Sequence, residues 1–185
     1  KLIKPEWSYY YIGWNMDGSN PFFNDLKVRH AMTHALNLPL ILEKVFYNLS
    51  EQCHGIYHQD SWMYNPEIQL LPYDLAKASQ LLEEAGWIVN EQDGWRYKTI
   101  ENQKVKFEFT MLLPQGSSYA PKVSNYFQED LRGIGVDLKT RTVEWATFQQ
   151  MTRKHEFQAY MAGWGTGTDP DTGWNLWRTE EYNTG

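Results

Sequence analysis

The chain has 185 residues, a length that fits one domain. Apolar residues make up 42%, enough for a packed core and too many for a disordered chain. With 17 basic and 23 acidic side chains the net charge is −6, which argues against a broad nucleic-acid surface. Nine Trp and twelve Tyr supply amphipathic rings suited both to packing and to contact with a varied ligand. The lone Cys53 cannot staple the fold and has no partner cysteine for a structural zinc site. No stretch approaches the roughly 20 apolar residues of a membrane helix, and no signal peptide is visible. The ends, KLIKPEWS and EEYNTG, carry no closing element, so the chain reads as a fragment of a longer protein.

In chain order, Tyr9–Asn15 (YYYIGWN) is β-prone and runs into the turn-rich DGSNP. DLKVRHAMTHAL is predicted as a helix, with Val28, Ala31, Met32, Ala35 and Leu36 on one face. LPLILEKVFYNL continues as a second helix with Pro39 near its start. Residues 50–72 read as loop. Asp74 is placed to cap a third helix whose stripe is Leu75, Ala78, Leu81, Leu82 and Ala85, with Gly86 as its left-handed stop. A hairpin follows: GWRYKT, the turn ENQ, then VKFEFTM, where Val105, Phe107, Phe109 and Met111 alternate with polar residues. A helix over Pro121–Leu131, a strand VDLKTRTV, a short helix EWATFQQMTRK and a strand FQAYMAGW complete the series. This alternation predicts an α/β fold with a mixed, partly parallel sheet flanked by helices, one lobe over 1–185.

The last strand leads into GWGTGTDPDTGW, Gly163 to Trp174. It is not a phosphate loop. The Walker pattern needs a lysine after its glycines, and the dinucleotide pattern needs a glycine where Thr168 or Pro170 stands. His30 and His34, and His54 and His58 beside Cys53, have the i, i+4 spacing that zinc uses. The first pair lies opposite the apolar stripe and is expected to face solvent. The second sits in a loop without an evident carboxylate. No metal or other cofactor is expected, and a metal module built on Cys53, His54 and His58 is the weakest alternative. No GxSxG elbow is present. A hydrolase using Asp169 and Asp171 with a histidine is the rival from another class, although Pro170 between them favours a rigid turn. Trp7, Trp14, Trp62, Trp87, Trp95 and Trp145 are expected in the core or at its rim. Trp164 has the better case for ligand contact, because ligands of open α/β sheets sit beyond the carboxyl ends of the strands.

Five segments, in order, resemble the extracytoplasmic solute-binding proteins of peptide-type ABC importers: YYIGWN; NPFFNDLKVRHAMTHALN; YDLAKASQLLEEAGW with the turn QDGWR; DLRGIGVDLKTRTVEWATFQQ; and FQAYMAGWGTGTDPD. The resemblance covers nearly the whole chain. It implies a type II periplasmic-binding-protein lobe, the C-terminal one, without its return segment, and a monomer with a periplasmic or cell-surface home. It also implies an importer permease as partner, no catalysis and no nucleic acid. The ligand is expected to be an oligopeptide or dipeptide held between two lobes, with an oligosaccharide, nickel chelate or other small solute as the alternative. Trp164 would line the cleft. Gly165, Thr166, Gly167 and Thr168 would offer backbone groups, and Asp169, with Asp171 beside it, would meet an amine. Peptide binders of this family carry an Asp three residues after the motif Trp, where this chain has Gly167. Asn37 also departs from the usual Asp, and the loop Tyr47–Asn65 has fewer Gly and Pro residues than is usual.

Overall fold

The computed structural model describes residues 7–165 and 178–180. Its main sheet is formed by β1 (Ser8–Trp14), β5 (Glu108–Pro114), β6 (Asp137–Val143) and β7 (Ala159–Gly165), in the order β1-β7-β5-β6. β5 is parallel to both β6 and β7, whereas β1 runs antiparallel to β7 along its whole length. Helix α4 (Ala120–Gly133) connects β5 to β6, and α5 (Trp145–Arg153) connects β6 to β7. The mixed sheet and its helical crossovers match the expected class. A second sheet of three strands, β2 (Ile88–Val89), β3 (Arg96–Ile100) and β4 (Gln103–Lys106), stands beside it.

Each of the first three helices begins at a side-chain cap, and of these the sequence had marked Asp74. Asp25 accepts from the Lys27 backbone N–H at 2.8 Å to start α1 (Leu26–His34). Asn37 does the same for Leu40 at 3.2 Å to start α2 (Leu38–Lys44), so its amide oxygen serves as a carboxylate would. Asp74 accepts from Lys77 at 2.8 Å to start α3 (Leu75–Glu84). Gly86, at φ +86°, ends α3 in the left-handed conformation. The predicted stripes are the buried ones: Val28, Ala31, Met32 and Ala35 of the first, Ala78, Leu82 and Ala85 of the third. They join Phe22, Phe23, Trp87, Phe107, Phe109 and Phe127 in one core on the α4 side of the sheet. A smaller cluster, Leu112, Val143 and Phe148, lies under α5 on the other face.

Two expectations are corrected. The segment VKFEFTM is not one strand. Its alternation holds, but the chain changes sheets at Phe107, whose N–H donates to Arg96 O at 2.8 Å while its carbonyl accepts from Asp137 N–H at 2.9 Å. The turn between β3 and β4 is only Glu101 and Asn102, both at positive φ, and Gln103 already pairs with Ile100. His34 does not face solvent either. The return of the chain before α3 covers it: its Nδ1 is 2.7 Å from Pro72 O, and Asp74 N–H donates to its carbonyl at 2.8 Å.

Arg96 is almost wholly buried, at 1% exposure, an unusual place for a guanidinium. It is satisfied throughout: Nε donates to Ile134 O at 2.6 Å, one terminal nitrogen to Trp87 O at 2.7 Å, and the other to Ser79 and, at 3.4 Å, Glu83. Burial draws its pKa down and Glu83 partly restores it. Arg96 thus ties α3 and the small sheet to the turn before β6. Asp137 anchors the start of β6. Burial would raise its carboxyl, but hydrogen bonds from Lys106 and Lys139 hold it below the ordinary carboxylate range.

Candidate functional site

The parallel strands β5 and β7 diverge. Their ladder contains Met111–Ala159 and Leu112–Tyr160 and then stops, although β5 runs on to Pro114 and β7 to Gly165. Pro114 has no N–H to offer a neighbour, which suits the end of that pairing. β7 remains fully paired to β1 on its other side. Among the described residues, its β5-facing edge is therefore without a ladder partner from Met161 to Gly165.

A recess of about 300 Å³ opens there, at the carboxyl ends of β5 and β7, lined by Ser8, Tyr10, Pro114, Tyr119, Trp145 and the end of β7 from Ala162 to Gly165. Its two sides have different origins. Tyr10 stands on the α4 face of β1, 4.2 Å from the Tyr119 ring and 5.7 Å from Phe46. Trp145 opens α5 and stacks on Phe148 at 5.6 Å, with 54% of its surface exposed. Trp164 is 47% exposed, and its indole N–H donates to the Tyr11 hydroxyl at 3.0 Å. Burial, then the hydrogen bond with Tyr160 at 3.2 Å, pushes the Tyr11 phenol above its ordinary pKa, so it stays neutral.

Glycine is required in this wall. A Cβ on Gly163 would lie 2.7 Å from the Tyr10 ring and 3.2 Å from Tyr9 O. The register sets Tyr10 directly across from Gly163, so the ring lies over the bare backbone.

Of the predicted site residues, Trp164 and Gly165 fall on this edge. Thr166, Gly167, Thr168, Asp169 and Asp171 lie outside the described residues. Sequence reasoning missed Tyr10, Tyr119 and Trp145 as lining residues. Trp145 comes two residues after β6 ends at Val143, a strand-end position that was a signal for it. Cys53 is exposed, and His58 stacks on Trp7 at 4.8 Å, with Asp60 3.6 Å from its Nδ1, a neighbouring carboxylate the sequence reading had not seen. No group of three or more His, Cys, Asp or Glu is placed to hold a metal among the described residues, and no described helix is long and apolar enough to cross a membrane.

A mixed α/β lobe with an aromatic recess, and with a strand edge that no described strand covers, is the architecture of a ligand-binding lobe. The chain belongs to the bacterial extracellular solute-binding proteins, family 5, whose middle region matches residues 2–185. That family binds solutes and is not enzymatic, which removes the hydrolase alternative. The chain is 36% identical over 168 residues to the oligopeptide-binding protein AppA of Bacillus subtilis, covering 89% of this chain and 30% of that protein. It is 32% identical to heme-binding protein A of Haemophilus influenzae, over 87% of this chain and 27% of the relative. The structure of Bacillus subtilis AppA in complex with a nonapeptide superimposes with a TM-score of 0.85 at 32% identity, over 97% of this chain and 35% of that one. NikZ of Campylobacter jejuni, solved with Ni(L-His), shares the fold with a TM-score of 0.84 at 24% identity, over 97% of this chain and 34% of that one. The chain thus spans about a third or less of the relatives it matches.

Proposed function

We propose that this chain is one lobe, the C-terminal one, of a two-lobed extracytoplasmic binding protein that delivers peptides to the permease of an ABC importer. The observation that carries the reading is the edge of β7 that no described strand covers. An extended peptide can add to such an edge through its own N–H and C=O groups, with side chains alternating to either side. Tyr10 and Tyr119 would wall one side, Trp145 and Trp164 the other. Gly165 adds no side chain to the edge, and no atom of the described residues lies within 4 Å of where its Cβ would be. Beyond it, Thr166, Gly167 and Thr168 would continue the backbone contacts. Asp169, with Asp171 beside it, would receive the peptide amine in place of the acid that Gly167 cannot supply. The kinship with a peptide binder at 36% identity supports this reading. The heme-binding relative at 32% identity keeps a non-peptide solute as the second reading, since the same rings would stack on a flat or cyclic ligand.

The lobe's home would be the periplasm or the cell surface. Affinity would come from closure of both lobes on the ligand, so this piece alone is expected to bind weakly. The test is titration calorimetry of the full-length protein with a pool of free peptides of two to nine residues. Micromolar or tighter binding, about −8 kcal/mol or better, weakened at least about tenfold by Asp169→Asn, is the expected result. Absence of peptide binding, together with native mass spectrometry finding a non-peptide solute retained, would overturn it.

A further inference from the structure

Behind Trp164 lies a connected block of rings that the binding reading does not by itself require. The Trp164 indole N–H donates to Tyr11, whose hydroxyl in turn meets that of Tyr160 at 3.2 Å. With its oxygen receiving from Trp164, the Tyr11 hydroxyl has its own proton to give to Tyr160. Tyr160 is held edge-on by Phe157 at 4.8 Å and by Phe148 at 5.8 Å. It also lies over Gly13, its cross-strand partner, where a Cβ would come within 2.6 Å of the ring. Phe148 is the same ring on which Trp145 stacks. Both cleft tryptophans therefore rest on one support.

We propose that Tyr11 is a positioning residue for Trp164, with Tyr160 and Gly13 holding Tyr11 in place. The inference rests on the reading of Trp164 as a cleft residue. A half-exposed indole at the end of a strand is free to turn, and a ligand that fixes it must offset the lost rotamer freedom. One directed hydrogen bond orders the ring before the ligand arrives. The burial that keeps the Tyr11 phenol neutral preserves both its donor and its acceptor roles.

The test uses the full-length protein labelled with ¹⁵N at the tryptophan indoles, the Trp164 resonance being identified by its loss in Trp164→Phe. In Tyr11→Phe the ring remains and only the hydroxyl goes. The Trp164 indole proton is expected to move upfield and to exchange faster with water, with a smaller change in Tyr160→Phe. Affinity for the best-bound member of the peptide pool should fall about three- to tenfold in Tyr11→Phe, with little change in melting temperature. An unmoved Trp164 resonance in Tyr11→Phe overturns the inference, as does a moved resonance with unchanged affinity where Trp164→Phe weakens binding. If Trp164→Phe leaves affinity unchanged, the binding role of Trp164 fails instead, a result recognisable because the Tyr11→Phe resonance still moves.

Discussion

The molecule holds two aromatic clusters built on opposite terms. The inner one, Phe22, Phe23, Trp87, Phe107, Phe109 and Phe127, has almost no exposed surface, and all its members but Trp87 are phenylalanines without a polar group. In the outer one Tyr10, Trp145 and Trp164 are about half exposed and Tyr11, Tyr119 and Tyr160 partly buried, and every member carries a hydroxyl or an indole N–H. Both arise from the same aromatic-rich composition. What separates them is whether a ring can leave water without stranding a polar group. Phe can be buried at no such cost, whereas Tyr and Trp keep one end where a partner or water is available. The inner cluster holds the lobe together, and the outer one presents a surface.

That contrast can be broken by substitution at three points. Phe107 is stacked on Phe22 at 4.8 Å and tilted against Trp87 at 4.5 Å, at the point where the chain changes sheets. Phe107→Ala should cost about 3–5 kcal/mol of stability, read by urea unfolding of the full-length protein. A loss under about 1 kcal/mol would mean that the core closes over the gap. Gly163→Ala should cost less, about 1–2 kcal/mol, because the exposed Tyr10 ring can turn away while the contact with Tyr9 O cannot relax as easily. Its sharper signature is a displaced Tyr10, visible as a changed ring environment in NMR spectra. An unmoved Tyr10 would show that the bare backbone at Gly163 is not what seats the ring. Trp145→Ala should have the smallest effect on stability, within about 0.5 kcal/mol as for other exposed sites, and yet lower peptide affinity. If it instead destabilises the protein as strongly as a core substitution, the division between the clusters fails at α5.

Much of the fold was legible because local rules and tertiary demands agree. The cap Asp74, the stop at Gly86 and the apolar stripes follow from backbone groups that need partners and from helical spacing, and neither requires knowledge of neighbours; Asp25 and Asn37 cap by the same rule but were not read as caps. His34 shows where this fails. Its position opposite the stripe pointed to solvent, but another segment of chain crosses that face and supplies Pro72 O. Arg96 was equally hidden, since its carbonyl partners at Trp87 and Ile134 come from separate turns that only packing brings together.

At the candidate site the same boundary runs between neighbouring residues. Sequence alone marked Trp164 and Gly165, through a strand running into a glycine-rich turn, and it determined the class of fold, the cap and stop of α3 and the family resemblance. Tertiary structure decided that β7 parts from β5 after Tyr160, that Tyr10 lies over Gly163, and that Trp145 and Trp164 share one support through Phe148, Tyr160 and Tyr11. The reason is physical: a cap or a stripe is satisfied within one turn of chain, whereas a recess is a property of surfaces that distant segments fail to fill.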